Sequence, residues 1–352
     1  MIEEAVRWAE ILTHLLHGVD LDESTAERVM EVLMRGDAEP AQVAGFLVAL
    51  RAKGEAPTEI AGFVRAMLSA AEPIDLDADL VERLVDTCGT GGDGAGTFNI
   101  STVAAVVVAA SGQPVAKHGN RAASGVCGSA DLLEAWGIEL ELPPTSVATC
   151  LADVGIGFLF ARAFHPAMRH VGPVRAQLGI RTVFNVLGPL SNPAGAPHQV
   201  VGVSDERLAA VMADALARLG KHHALVFRGD DGLDELTTTG PSHVWEVRSG
   251  TVSRWVLDPG DLGIDAAKPD DLRGGSIADN VAIADDVLSG SPGPRADIVA
   301  LNAGAALFAA DAVPDLATGL ERARESLATG AAAELKRRWV QRTHELMGAG
   351  RG

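Results

Sequence analysis

Gly89-Thr90-Gly91-Gly92-Asp93-Gly94 comes just after the short apolar run Leu84-Val85 and just before Asn99-Ile100-Ser101-Thr102 and the apolar run Val103 to Ala110. The order predicts a strand, a glycine loop and a buried helix with polar residues at its start and Gly112 past its end. Glycine suits such a loop because backbone without a Cβ can approach an anion closely and take positive φ, while the helix N-terminus adds partial positive charge. The stretch is a candidate phosphate cradle.

The same six residues satisfy G-x-G-x-x-G, the dinucleotide fingerprint. That reading requires an acidic residue about twenty positions on, to hold the ribose hydroxyls. Between Gly94 and Ala130 there is no Asp or Glu. A short strand, Pro114-Val115-Ala116, leads instead into Lys117-His118-Gly119-Asn120-Arg121-Ala122-Ala123-Ser124-Gly125, and Ser129 is placed to cap a helix from Ala130 to Trp136 closed by Gly137. Two anion loops in tandem imply a ligand with more than one phosphate.

The two loops, together with Thr97-Phe98-Asn99-Ile100-Ser101-Thr102, Asn185-Val186-Leu187-Gly188-Pro189-Leu190 and Asp231-Gly232-Leu233-Asp234-Glu235-Leu236, resemble the anthranilate phosphoribosyltransferases in order and spacing over nearly the whole chain. The resemblance implies a glycosyltransferase with a nucleoside phosphorylase-like fold that acts in tryptophan synthesis.

Composition sets the bounds. A chain of 352 residues, 47% hydrophobic and 22% charged, is long enough for two domains and can bury a substantial core. A net charge of −18 speaks against nucleic acid or an anionic membrane as partner, so an anionic substrate must meet a local cationic pocket. Cys88, Cys127 and Cys150 form no C-x-x-C pair and suggest neither a zinc site nor a disulfide framework; a reducing cytoplasm is the expected location. The acidic start, Met1-Ile2-Glu3-Glu4, gives no expectation of a secretory leader, and no apolar run reaches membrane-spanning length.

The fold class expected is α/β: a small all-helical lobe plus a larger domain with a central, mostly parallel sheet flanked by helices. Residues 1–75 punctuate as helices, closed by Gly18, Gly36 and Gly54, with Asp37 and Thr58 as candidate N-caps. Residues 76–350 form the α/β part. Gly155-Ile156-Gly157-Phe158-Leu159-Phe160 reads as a buried strand. Val200 to Val203, a helix headed by Ser204-Asp205-Glu206 and ending at Gly220, then Ala224 to Phe227, read as a β-α-β unit. Val244 to Val247 and Val252 to Val256 pair as a hairpin around Ser249-Gly250, and alanine-rich helix follows Pro292-Gly293-Pro294. From Arg162 through His165, Arg169, His170 and Arg175 to Arg181 the chain is basic with no acidic residue among them, which is more than a solvated face needs. The resemblance places helices from about 165–190 back against the first lobe, and implies a homodimer through that lobe.

The implied reaction joins anthranilate's amine to C1 of phosphoribosyl pyrophosphate and expels pyrophosphate, so the protein's task is electrostatic and positional. The resemblance assigns Gly89, Gly92, Asp93, Thr97, Asn99, Ile100, Ser101, Thr102, Lys117, His118, Gly119, Asn120, Arg121, Ala122, Ala123, Ser124, Gly125 and Ser129 to phosphoribosyl pyrophosphate, with Lys117 and Arg121 supplying charge. It assigns Gly89, Asn120 and Arg175 to anthranilate, with Arg175 on the carboxylate. It assigns Ser101, Asp234 and Glu235 to Mg2+, with two ions expected. By themselves Asp234 and Glu235 also fit a capped turn, and Lys117 fits a surface lysine at a strand end. His118 and His165 lie in matching segments, but neither is assigned proton transfer. Gly125 and Cys127 depart from the family pattern, which commonly has a serine at 125 and no cysteine at 127, so one hydroxyl contact to phosphate is expected to be absent while the Gly125 N–H can still donate and the site is expected to survive. Two other readings remain open at this point. One is a pyrimidine-nucleoside phosphorylase, for which a further C-terminal domain would be expected, and the other is a non-catalytic phosphosugar-binding paralogue.

Overall fold

The structure, a computed structural model, describes residues 6–122 and 126–349. Seven strands make one sheet: β1 (Val85–Gly89), β2 (Val115–Gly119), β3 (Ile156–Phe160), β4 (His198–Gly202), β5 (His223–Gly229), β6 (Ser242–Arg248) and β7 (Thr251–Leu257). Their spatial order is β3-β2-β1-β4-β5-β6-β7, with the first five parallel and the last two antiparallel. The chain thus winds outward from β1 in one direction through β2 and β3, then crosses back to β4 and winds the other way. The reversal falls between β1 and β4, whose last residues, Gly89 and Gly202, pair directly. In open α/β sheets ligands bind outside the carboxyl ends of the strands at such a switch point.

Strand alternation divides the apolar side chains between two cores. On β5, Leu225 and Phe227 join one cluster and Ala224 and Val226 the other. The first cluster packs the sheet against helices Ile100–Ala110, Pro294–Ala309, Leu316–Ala328 and Ala331–Ala349. Val103 to Ala109 are all buried there, the expected result for a helix that is apolar all round. The second cluster unites the N-terminal helices Trp8–Leu16, Glu23–Arg35, Pro40–Lys53 and Pro57–Ser69 with helix Glu206–Arg218 and with Val171, Val174, Phe184 and Leu187. Helices Gly172–Leu178 and Phe184–Leu190 therefore share a core with the first seventy residues.

The β-α-β unit and the hairpin form where the sequence places them. The hairpin turn has Ser249 and Gly250 both at positive φ (49° and 79°), the pairing that suits the right-handed twist of its strands. Three helix starts differ. Asp37 caps nothing; it pairs with Arg35 at 2.9 Å, and the helix opens at Pro40, where the Gln42 side chain takes the Glu39 N–H at 2.9 Å. Thr58 lies inside the first turn, because Pro57 opens that helix and Glu59 reaches back to the Ala56 N–H at 2.8 Å. Proline at the first helical position is the stronger signal in both cases. Ser129 is likewise already helical, preceded by Gly128, whose N–H donates to Asp131 at 2.9 Å.

Candidate active site

Beyond β1 the chain enters its glycine loop with Gly91, Gly92, Gly94 and Gly96 all at positive φ (63°, 78°, 73° and 65°). Thr90 N–H donates to Gly202 O at 2.9 Å, which ties the loop's root to the end of β4. Gly91 N–H donates to Asp234 Oδ2 at 2.6 Å and Ala95 N–H to Asp93 Oδ1 at 3.1 Å. Between them the amides of Gly92, Asp93 and Gly94 donate to no group among the described residues. Three successive N–H groups left without a protein partner past a strand end are donors that an anion can use. The loop borders a polar cavity of 490 Å³ whose lining includes Gly92, Asp93, Arg181, Asn185 and Ser204 but neither Arg175 nor Asn120.

Asp234 and Glu235 lie against this loop, held by close approach of glycine backbone. A Cβ at Gly89 would fall 2.5 Å from Asp234 Oδ2, and one at Gly202 only 1.6 Å from Asp234 O. Glu235 Oε1 accepts from Ser101 N–H at 3.1 Å, at the start of helix Ile100–Ala110. Burial, reinforced by the charge of Asp93, pushes the Asp234 carboxyl up to about 7. Glu235 is pushed well above the carboxylate range by burial and by Asp234, with Lys117 acting against the shift. A cluster of desolvated carboxyls that resist shared ionisation fits a cation, since a divalent ion would remove both penalties at once. Among the described residues no three His, Cys, Asp or Glu side chains are arranged to hold a metal by themselves. Two adjacent carboxylates are a donor set that suits magnesium, a hard ion that keeps waters and takes phosphate oxygens.

Lys117 is buried and reaches across to the neighbouring strand. Its side chain is 2% exposed and its ammonium donates to Thr87 O at 2.5 Å, across to β1. Burial lowers its pKa, with Asp86 and then Glu235 among the charges opposing the shift. Strand pairing sets it beside β1, within the field of Asp86 and Glu235. Arg121 is also committed, with Asp131 at 2.9 Å and Glu134 at 2.8 Å. The helix Ser129–Ala135 brings those acids back over the loop, a placement the local sequence around Arg121 does not reveal. Ile100 and Thr102 are buried, and their backbone N–H groups go to Phe98 O and Asn99 O. Thr97 bridges to Arg273 at the far end of the loop. Asn99 joins the two loops, its side-chain N–H donating to Cys127 O at 3.0 Å. Asn120 is exposed at the end of the second loop's strand, just past Gly119, with its carbonyl accepting from Ser129 Oγ at 3.1 Å, and the Ala122 N–H is taken by Asp131. Ala123, Ser124 and Gly125 lie outside the described residues.

His118 is buried, and burial with the nearby His165 ring, 5.1 Å away centre to centre, lowers its pKa to about 3. The neutral ring donates from Nδ1 to Gly188 O at 2.9 Å, leaving Nε2 a bare acceptor without a partner among the described residues. Arg175, on helix Gly172–Leu178, stacks its guanidinium 5.0 Å from the Phe184 ring centre and has no hydrogen bond or ion pair among the described residues. Burial pushes its pKa below the usual value. A partly desolvated guanidinium without a carboxylate partner among the described residues has its donors open to an anion. Sequence reasoning names this residue, but misses Gly202, Ser204 and Arg181 as supports of the first loop. The basic run that contains Arg181 is the only signal for any of them.

Two family models match the chain: the helical bundle domain of a glycosyl transferase family over residues 9–71 and its a/b domain over residues 81–333. The chain is 56% identical over 329 residues to an anthranilate phosphoribosyltransferase of Roseiflexus sp. (strain RS-1), covering 93% of this chain and 95% of that one. It superposes on the crystal structure of the Thermus thermophilus anthranilate phosphoribosyltransferase with a TM-score of 0.89 at 49% identity, over 95% of this chain and 99% of the other. It also superposes on the Saccharomyces cerevisiae anthranilate phosphoribosyltransferase in complex with PRPP and Mg, with a TM-score of 0.87 at 27% identity, over 96% and 98% of the two chains.

Proposed function

The chain belongs to the glycosyl transferase family of the anthranilate phosphoribosyltransferases, and from that premise we infer how its own residues carry the transfer of phosphoribose from phosphoribosyl pyrophosphate to the amine of anthranilate. It is a transferase of tryptophan biosynthesis rather than a pyrimidine-nucleoside phosphorylase or a silent paralogue. The observation that carries the residue-level reading is the run of Gly92–Gly94 amides without a partner among the described residues, close to Asp234 and Glu235 at the sheet's switch point.

On this reading the free amides hold the pyrophosphate, the second loop from Gly119 to Ser129 holds the 5-phosphate, and Ser101, Asp234 and Glu235 hold magnesium. Magnesium, for which we propose two ions, would offset the charge that develops on the departing pyrophosphate. The unpaired Arg175 takes the anthranilate carboxylate, and Asn120 and Gly89 border the same ligand. The bare Nε2 of His118 needs a donor and no proton, so it serves as a hydrogen-bond acceptor rather than as a base with any reserve of basicity. Loss of anthranilate fluorescence on adding phosphoribosyl pyrophosphate and magnesium, with thymidine plus phosphate as control, tests the activity. Fluorescence that stays constant, or turnover of thymidine alone, overturns it.

The division into a helical lobe over 1–75, completed by 165–190, and an α/β part over 76–350 belongs to the same proposal. The core shared by those helices and the separate ranges of the two family models support it. No helix among the described residues is long and apolar enough to cross a membrane, and we place the enzyme in the cytoplasm. We further propose a homodimer through the lobe, where Leu16, Val19 and Val48 are 74%, 49% and 42% exposed. Light scattering at micromolar concentration is expected to give twice the chain mass, and a monomer mass removes the idea.

A further inference from the structure

We propose that Arg181 is a positioning residue that locks the peptide planes of the glycine loop in the orientation that binds pyrophosphate. Its guanidinium spans two successive carbonyls, Nη1 donating to Gly91 O at 2.8 Å and Nη2 to Thr90 O at 3.2 Å. Ser204 Oγ donates to the same Gly91 O at 2.9 Å, and Ser204 N–H to Thr90 Oγ1 at 3.3 Å. A trans peptide points its N–H opposite to its C=O. Holding Thr90 O therefore aims Gly91 N–H, which lands on Asp234, and holding Gly91 O aims Gly92 N–H, the first of the three free amides. Gly91 and Gly92 both sit at positive φ and carry no side chain, so nothing local prevents either peptide from turning over. A flip at Gly91-Gly92 would present a carbonyl oxygen to the phosphate in place of a donor. The lock comes from outside the loop.

Gly92 is fitted to this arrangement. A Cβ there would fall 1.5 Å from Arg181 Nη1, so the clamp and the glycine are one feature. Arg181 makes no ion pair among the described residues, and both its contacts are to carbonyls. It stands between helices Gly172–Leu178, which carries Arg175, and Phe184–Leu190, whose Phe184 stacks on Arg175. One short tract thus grips the pyrophosphate loop and supports the arginine proposed for the second substrate.

The inference rests on the reading of Gly92–Gly94 as the pyrophosphate site. The test compares wild type with Arg181→Met, which keeps the stem and removes both donors, and Arg181→Lys, which retains the charge but can hold one carbonyl. Calorimetry with phosphoribosyl pyrophosphate and magnesium, without anthranilate, is expected to give a Kd raised roughly tenfold in Arg181→Met and by less in Arg181→Lys. The KM for anthranilate should stay within about twofold and the thermal midpoint within about 2 °C. Adding Ser204→Ala to Arg181→Met should cost more than Ser204→Ala does alone, because the two donors share one carbonyl. A wild-type Kd in Arg181→Met, or an equal rise in both substrates' constants together with a fallen thermal midpoint, overturns the lock. Should Arg181→Met not fold, an Arg181→Lys Kd equal to wild type does the same. A wild-type protein that binds no phosphoribosyl pyrophosphate overturns the site reading itself.

Discussion

Replacing Asp234 and Glu235 together by Asn and Gln is expected to lower kcat/KM by about a thousandfold or more and to leave the thermal midpoint unchanged or slightly raised. The two parts of that expectation have separate causes. Loss of activity follows from the proposal that the pair holds magnesium against a pyrophosphate at the switch point. Retained stability follows because the pair does the fold no favour. Burial pushes both carboxyls upward, helped by the charge of Asp93 on Asp234 and by that of Asp234 on Glu235, so their ionised forms are penalised in the folded protein, and neutral amides of the same shape remove that penalty. The amides also keep the acceptors that Gly91 N–H and Ser101 N–H use now, so the loop and the helix start stay anchored. Lys117 still faces Asp86 after the change. The measurement is steady-state kinetics across a magnesium titration beside a melting curve. A double variant with wild-type activity at limiting magnesium refutes the metal assignment, and one that loses activity and folding together shows that the carboxylates were structural.

What the sequence makes legible, and what it does not, divides along the range of the interactions. The strand, glycine loop and helix from Leu84 to Ala110 can be read because each signal is local: an apolar pair, residues free to take positive φ, a run with no polar face. Ser249-Gly250 is local in the same sense. The helix starts expected at Asp37 and Thr58 fail because a polar residue weighs less than a nearby proline. Lys117 differs for another reason. Its neighbours suggest a strand end, but pairing of Lys117 with Phe158 on one side, and its reach to Thr87 on the other, bury it between strands distant in sequence. The same holds for Arg121, whose charge is met by acids 10 and 13 positions away, and for Gly202, whose lack of a side chain matters only because Asp234 is folded onto it. Arg181 lies 90 residues from the carbonyl it holds. Elements are readable from pattern, while the direction in which a charged side chain points is decided by partners that only the fold supplies.

Arg175→Ala is expected to lower kcat/KM for anthranilate by about ten- to a hundredfold, which corresponds to the roughly 1.5–3 kcal/mol of a charge-assisted hydrogen bond, while the KM for phosphoribosyl pyrophosphate moves by no more than about twofold. The reason for the asymmetry is in the surroundings of the side chain. Its guanidinium is packed on Phe184, partly desolvated and without a carboxylate partner among the described residues, whereas the amides and the carboxylate pair proposed for pyrophosphate and magnesium lie on β1's loop and after β5. Of the two substrates only anthranilate brings a carboxylate, and a planar fork pairs with one through two hydrogen bonds. Arg175→Lys separates charge from shape: it keeps the cation, loses the fork and the stacking, and should fall between wild type and Arg175→Ala. The amide of anthranilate supplies the complementary change on the ligand. Wild type should discriminate against it by a factor close to the Arg175→Ala loss, and Arg175→Ala should treat acid and amide alike, since the partner that told them apart is gone. If Arg175→Ala still prefers the acid by the wild-type ratio, the carboxylate is read elsewhere. If both substrates suffer equally, Arg175 is a support of the tract that holds the glycine loop and not a ligand contact.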